Sequence, residues 1–469
     1  MELKDIKAVY FIGIGGIGMS ALARYFHSKG VKVSGYDKTE TLLTIQLINE
    51  GIQVFYNEDV ERAPKEIDLV VYTPAIPADH QELQYYRAND YSVVKRSDVL
   101  QMITASSLNI CVAGTHGKTT ISTMMAFLLQ ASGHGCNAFL GGISTNYHTN
   151  FWSSKHPVCV IEADEYDRSF HKLHPDYAVI SSMDPDHLDI YGTSEQVEEA
   201  FIEFTSKIRK DGVLVYKYGL KRAAELKGDK RFSYDLRDRN ADICVSDLRI
   251  ENGGYRYDVI IKKEGGEHRI AGLHLKIGGL HNVENSLPAI MMCHLMNVSD
   301  ASIRESLALF SGVKRRFEYW IKPDEADIIM IDDYAHHPAE LKALTEGVRS
   351  LFPDEGLLVI FQPHLYSRTA DQAEGFAASL DESDAVILLP VYPAREKPIA
   401  GVTSQLILDK MMLNHKMIIE KNELTDKIIQ IIKDLKINTG KDKWVVVTAG
   451  AGDIDMLLPA LKDRLKNEQ

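Results

Sequence analysis

Residues Gly114-Thr115-His116-Gly117-Lys118-Thr119-Thr120 are the part of this chain best suited to holding a polyphosphate. The apolar run Ile110 to Ala113 before them reads as a strand. Ile121, Met124, Met125 and Leu128 follow at the spacing of one face of an amphipathic helix. Backbone N–H groups of such a loop and the positive end of the helix suit phosphate oxygens, Lys118 neutralises them, and Thr119 reaches the accompanying Mg²⁺. The usual GxxxxGK(S/T) pattern would need a glycine where Val112 stands, so the match is to the shorter GxxGK(S/T) form. The spacing predicts ATP or GTP binding.

A second group is acidic. The strand-like run Val158 to Ile161 ends in Glu162-Ala163-Asp164-Glu165, and Ala178 to Ser181 leads to Asp184-Pro185-Asp186-His187-Leu188-Asp189. In an open α/β sheet the carboxyl ends of the strands share the edge where ligands bind, which is where the phosphate loop must also lie. A carboxylate and a neutral imidazole there suit a Mg²⁺ ion held against ATP, with oxygen the donor this ion prefers.

A third group is Gly13-Ile14-Gly15-Gly16-Ile17-Gly18, which follows the run Ala8 to Ile12 and opens a helix, with Asp37 ending the next strand about twenty residues on. Alone, this fingerprint indicates an NAD-dependent oxidoreductase. Its glycines explain a diphosphate at a helix N-terminus without choosing the ligand, and a UDP-sugar presents the same diphosphate and ribose. A second, ATP-type site one domain later weighs against plain hydride transfer.

The elements that position these groups divide the chain. A length of 469 residues exceeds one ordinary core and, at roughly 100 to 200 residues each, predicts two to four domains, with three the starting expectation. The expected fold class is α/β: a Rossmann-like domain over 1–107, a central P-loop ATPase-like domain over 108–313, and a second Rossmann-like domain over 314–469. The central domain gains antiparallel hairpins around Asn252-Gly253-Gly254. In the third, Asp327 to Ile331, Leu357 to Phe361, Ala385 to Leu389 and Trp444 to Thr448 are the expected strands.

With 45% hydrophobic and 25% charged residues the composition is that of a globular protein. The net charge of −13 argues against a nucleic-acid surface. Five scattered cysteines without CxxC spacing predict buried free thiols and not zinc or disulfides. The glycine-broken apolar segment Ala8 to Met19, with Glu2 and Asp5 before it, is unlike a signal peptide. With no apolar run of 18 residues, no membrane insertion and a cytoplasmic location are expected.

Ten ordered blocks, GIGGIGMS, GTHGKTT, EADEYDRSF, DPDHLDIYG, GLHNVENSLPA, GVKRRFEY, DDYAHHPAE, FQPHLYSRT, YPAREKPIAG and GAGDI, resemble the Mur ligases from about Gly13 to Gly452. The resemblance implies an ATP-dependent enzyme in which ATP phosphorylates the lactyl carboxylate of UDP-N-acetylmuramate and L-alanine attacks the acyl phosphate, in peptidoglycan precursor synthesis. A recycling ligase that attaches a ready-made tripeptide to the same UDP-sugar is the alternative.

The resemblance also implies site residues. Glu162, His187 and Thr119 would hold Mg²⁺, and Gly114 to Thr120 would hold the ATP phosphates. Asn282 and Asn285 would lie around the adenine, with Arg316 and Asp333 joining the nucleotide. The UDP-sugar would contact Gly13, Gly15, Gly16, Ile17, Gly18, Met19, Asp37 and Thr73. Tyr334, His337, His364 and Arg368 would line the amino-acid and carboxylate region, with His337 as a general base. Bottom-up, Asn282 and Asn285 read equally as helix caps, Arg316 as a surface cation and His364 as a turn histidine. In two places the chain departs from the pattern: Leu365 stands where some relatives carry arginine, and Arg395-Glu396 where Gly-Glu is common. A monomer or dimer is expected.

Overall fold

Alternation of short apolar strands with helices builds three sheets. The computed structural model describes residues 3–467 apart from 106, 167, 186, 187 and 395. The chain folds as two compact units, one of residues 1–246, 258–271 and 284–307, the other of 247–257, 272–283 and 308–469.

The first sheet runs Gln53–Phe55, Lys32–Tyr36, Ala8–Ile12, Leu69–Tyr72, Val93–Lys95, all parallel. Ala8–Ile12 is flanked by the second and fourth strands of the chain, so the order reverses around it. Loops leaving the carboxyl end of such a strand open on a crevice. The Gly13 loop leaves from this position, and the helix Ile17–Ser28 follows it.

In the second sheet Leu108–Ala113 lies between Tyr177–Ile180 and Val158–Glu162, parallel to both. Register pairs Ala113 with Ile180 and Val112 with Glu162, which brings Gly114, Ser181 and Glu162 to one sheet edge. These strands are apolar almost throughout because the crossover helices cover both faces. The expected hairpins are present as Ile243–Glu251, Gly254–Lys263 and Gly266–Leu275, successive neighbours at the far end of the sheet. Two-residue turns join them, as only antiparallel neighbours permit. At the first turn Asn252 and Gly253 both take positive φ, 49° and 73°, the conformation that such a hairpin requires.

The helix Lys118–Ala131 departs from the amphipathic expectation. Thr119 to Leu129 are buried all round, not only on the Ile121, Met124, Met125, Leu128 face. A helix enclosed on every side belongs to a large core. Each large apolar side chain enclosed there stabilises by about 1.5–3 kcal/mol, which anchors the loop at its N-terminus.

In the second unit, Glu318–Ile321 runs antiparallel to Ile328–Asp333, and Trp444–Ala449, Gly356–Phe361, Ala385–Leu388 and Lys416–Ile418 continue the sheet in parallel. All five cysteines are free and buried. Among the described residues no helix is long and apolar enough to cross a membrane.

Candidate active site

The phosphate loop owes its shape to two glycines. Gly114 has φ 135°, and a Cβ there would lie 2.1 Å from Ser181 Oγ; Gly117 has φ 80°, and a Cβ would lie 2.8 Å from Asn285 Oδ1. Asn285 therefore sits directly against the loop. Ser182 Oγ accepts the His116 N–H at 2.8 Å and lies 2.8 Å from Thr115 Oγ1, so the neighbouring strand end braces the loop. Ser181 and Ser182 carry no motif that marks them as part of the site, although they follow the Tyr177–Ile180 strand as Gly114 follows its own.

Lys118 Nζ donates to Gly114 O at 2.6 Å and to Glu165 Oε1 at 2.8 Å. Glu165 is buried, and burial raises its pKa while the Lys118 ammonium pulls it back. Nothing in the spacing of the acidic block distinguishes Glu165 from Asp164, and only the fold sets it on Lys118.

Glu162 ends the strand Val158–Glu162, beside the first turn of the helix Lys118–Ala131. Its Oε1 accepts the Thr119 hydroxyl at 2.9 Å and its Oε2 the Gly141 N–H at 2.8 Å. A Cβ on Gly141 would approach the carboxylate to 2.2 Å, so glycine is required for this close packing. His187 lies outside the described residues, and so does Arg395. His116 Nε2 stands 3.6 Å from Asp184 Oδ2, both well exposed.

One cavity of about 290 Å³ joins the first glycine loop to this carboxylate. Gly16, Ile17, Gly18, Met19 and Thr73 line it on one side, and Gly141, Glu162 and Asp164 on the other. Gly13, Gly15 and Asp37 shape the loop from outside the cavity. Asp37 Oδ2 accepts the Gly15 N–H at 2.7 Å, and Gly13 donates to Tyr36 O at 2.8 Å. The sequence reading missed Arg96, which begins the helix Arg96–Thr104, faces the cavity and lies 3.6 Å from Asp164. A Cβ on Gly18 would come within 2.7 Å of the Arg96 guanidinium. On the expectation that this loop holds a UDP-sugar, Gly18→Val should displace Arg96 and weaken that binding about tenfold or more, some 1.4 kcal/mol. Calorimetry with the UDP-sugar and with ATP checks this, since ATP binding should not change.

The remaining site residues belong to the second unit. Asn282 Nδ2 donates to Gly278 O at 2.7 Å, tying the first turn of the helix Leu280–Leu295 to the segment before it; this is not a cap, which would accept a backbone N–H. Asp333 is half-buried and accepts the N–H groups of Phe317 and Ala335 at 2.8 Å each; desolvation raises its pKa, while those two bonds and then the Arg316 charge pull it down. Beside Arg316 the structural cation is Arg315, which pairs with fully buried Asp332 at 3.2 Å and donates to Gly450 O and Gly452 O. Burial outweighs that pairing and pushes the Asp332 carboxyl up to about 7.

Tyr334, His336, His337, His364 and Arg368 form one cluster. The His336 ring lies 4.8 Å from His337 and 6.2 Å from His364, with Tyr334 against it at 5.2 Å. His336 Nδ1 is 2.9 Å from Tyr334 O, and a carbonyl only accepts, so Nδ1 donates and Nε2 is the basic nitrogen. Arg368 Nη1 donates to His364 Nδ1 at 3.2 Å, and His364 stacks on Tyr392 at 5.8 Å. Burial, then the Arg368 charge, pushes His364 down to about 4. His336 was the residue missed, adjacent to the chosen His337; both backbone N–H groups donate to Glu340, and sequence alone could not choose between the rings. Leu365 adopts φ 69°, a strained backbone for leucine, at the start of the helix Tyr366–Leu380.

A phosphate loop, a carboxylate at the adjoining strand end and a glycine-loop domain opening on the same cavity define an α/β enzyme acting on nucleotide-linked substrates. Family models match in succession: the Mur ligase family catalytic domain over residues 8–107, the Mur ligase middle domain over 112–293, and the Mur ligase glutamate ligase domain over 315–452. The chain belongs to the Mur ligase family, with that family's three-domain α/β fold. It is 48% identical to UDP-N-acetylmuramate–L-alanine ligase of Porphyromonas gingivalis, covering 98% of this chain and 99% of the relative. The enzyme of the same name from Parabacteroides distasonis is 46% identical over 99% of this chain and 98% of its own length. The crystal structure of UDP-N-acetylmuramate-alanine ligase from Thermotoga maritima superposes with a TM-score of 0.81 at 28% identity, covering 99% of this chain and all of the other. A murein peptide ligase from Psychrobacter arcticus shares the fold at a TM-score of 0.65 and 21% identity, over 98% and 99% of the two chains.

Proposed function

We propose that this enzyme joins L-alanine to the lactyl carboxylate of UDP-N-acetylmuramate at the expense of ATP, in the cytoplasm, in the synthesis of peptidoglycan precursor. The observation that carries the reading is the cavity that runs from Gly16–Met19 to Glu162, because it sets a diphosphate loop and a phosphate-transfer carboxylate on one substrate-sized space. The full-length relatives named for the alanine reaction, at 46% and 48% identity, favour it over the tripeptide reaction.

In the proposed mechanism the UDP diphosphate rests on the N-terminus of the helix Ile17–Ser28, and the muramyl carboxylate extends along the cavity toward Glu162. Lys118 and the N–H groups of Gly114 to Thr120 hold the ATP phosphates, and positioning with charge neutralisation suffices for phosphoryl transfer. The hydroxyl of Thr119 and the carboxylate of Glu162 form an oxygen donor pair that fits Mg²⁺, and His187 completes the proposed set. That ion, when bound, offsets charge on the phosphate oxygens. Glu162→Gln keeps the shape and removes the charge. It is expected to raise the Mg²⁺ needed for half-maximal rate about tenfold or more, and a Mg²⁺ titration of initial rates checks this.

The amine of L-alanine must arrive deprotonated beside the acyl phosphate, and proximity supplies roughly 7–11 kcal/mol. With His364 held near 4, it is a poor proton acceptor at neutral pH. The role of base falls to His337 in our reading, with His336 beside it. Domain boundaries near 107 and 313 complete the proposal. Phosphate release with UDP-N-acetylmuramate, comparing L-alanine, glycine, L-serine and the murein tripeptide, tests it. L-alanine should be preferred, and preference for the tripeptide would transfer the chain to the recycling reaction.

A further inference from the structure

Apart from the phosphate chemistry, the first unit carries a second constellation of ligating side chains. His268 lies on the strand Gly266–Leu275, His294 in the last turn of the helix Leu280–Leu295, and Asp300 at the start of the helix Asp300–Leu309. Sequence spacing gives no hint of the group, since three elements contribute one residue each. Their ligating atoms lie within 4.8 Å of one another, the one such trio among the described residues. His268 Nε2 is 3.1 Å from Asp300 Oδ1 and 3.0 Å from Oδ2, and the two imidazole rings stack at 5.1 Å and 27°.

We propose that His268, His294 and Asp300 form a binding site for a transition-metal ion of the Zn²⁺ type, distinct from the Mg²⁺ position at Glu162. Two imidazoles and one carboxylate are the donors of a three-ligand zinc site, whereas Mg²⁺ takes oxygen. Tetrahedral bonds of about 2.0–2.1 Å place neighbouring donors about 3.4 Å apart. The His268–Asp300 pair, at 3.0–3.1 Å, lies slightly inside that separation, and the other donors reach it from at most 4.8 Å by side-chain rotation. The trio is partly exposed, which leaves an entry path and a place for water as fourth ligand.

Local charge is mixed. His294 sits at the negative end of its helix, which favours a cation. Asp300 adds a formal negative charge, and the ammonium of Lys263 opposes. The consequence is structural. The ion would tie one strand and two helices together, and it would fix the helix that presents Asn285 to Gly117 about 13–14 Å nearer its N-terminus.

The test uses the untagged full-length chain, freed of metal and held in saturating Mg²⁺ so that the phosphate site does not compete. Zn²⁺ titration by calorimetry should show one equivalent per chain, and Co²⁺ should give the visible absorption of a four-coordinate site. His268→Gln, His294→Gln and Asp300→Asn each remove one ligand. Each should weaken Zn²⁺ binding more than about a hundredfold, beyond the 10–100-fold that losing a mere outer-shell partner costs. Each should also abolish the Co²⁺ band, while thermal unfolding of the metal-free proteins shows them folded. Zn²⁺ should raise the unfolding temperature of the parent and not of the variants. No saturable Zn²⁺ binding by the parent, or equal binding by parent and all folded variants, would overturn the proposal. Should one histidine variant fail to fold, Asp300→Asn decides alone.

Discussion

Lys118→Ala is expected to yield a folded protein whose ligation rate is lower by roughly a thousandfold, the upper range for removing one preorganised donor from a transition state that accumulates charge. The structure explains both halves of that expectation. Lys118 Nζ is held inside the loop by Gly114 O and Glu165, so its charge needs no search to meet a phosphate. Its removal leaves the strand, the loop glycines and the enclosed helix Lys118–Ala131 as they are.

The same change has a second, separable effect. Burial already raises the Glu165 pKa, and only Lys118 draws it down appreciably. Without Lys118 the carboxyl moves further up and becomes a buried acid without its cation. An acid whose pKa is higher in the folded state stabilises the fold below its unfolded pKa and loses that contribution as pH rises through the folded value. Lys118→Ala should therefore lose stability as pH rises across that interval, more than the parent does. Adding Glu165→Gln should recover thermal stability and leave ligation as slow as before. Unfolding curves across pH and phosphate-release rates on the two variants check this, and near-normal turnover by folded Lys118→Ala would refute the assignment.

Arg368→Lys is expected to bind ATP normally yet ligate on the order of a hundredfold more slowly, the penalty for misplacing a reacting group by about 1 Å. A guanidinium can hold a carboxylate with two parallel bonds and still orient a neighbour, which an ammonium cannot. Here Arg368 donates to His364 Nδ1, which selects the tautomer with the proton on Nε2 and leaves its other donors for an anionic substrate. Single-turnover rates with UDP-N-acetylmuramate and L-alanine, and calorimetry with ATP, separate the two outcomes.

His364 gives an independent readout. Burial is the larger cause of its position near 4 and the Arg368 charge the next, so Arg368→Gln should move its titration upward but not to its ordinary value. Because the folded state favours neutral His364, stability should rise with pH between about 4 and the unfolded pKa of about 6.5 and be fully present above it. Imidazole proton resonances followed across this range report the shift directly. An unmoved His364 would show that the contact with Arg368 carries no charge coupling.

A chain cut near Gly312 would be a poor substitute for these point changes. Residues 247–257 and 272–283 fold with the C-terminal stretch, so the cut would strand two segments of the second unit.

Local chemistry alone determined a good deal of this protein. The two glycine loops, their strands and their helices were legible because a phosphate loop needs positive φ, close approach and a following helix in adjacent residues. Strand runs such as Ala8–Ile12 and Leu69–Tyr72 came out at their observed bounds because parallel strands covered on both faces must be apolar throughout. What the tertiary structure decided were the meetings between distant residues: Lys118 with Glu165, Glu162 with Gly141, Arg96 with the Gly18 loop, and His336 with His364. It also enclosed the helix Lys118–Ala131 on every side, although its pattern showed one apolar face. Such pairings depend on sheet order and register, which bring strand ends together irrespective of their separation along the chain. No window of sequence contains that information, because the packing energy that selects the register is summed over the whole core.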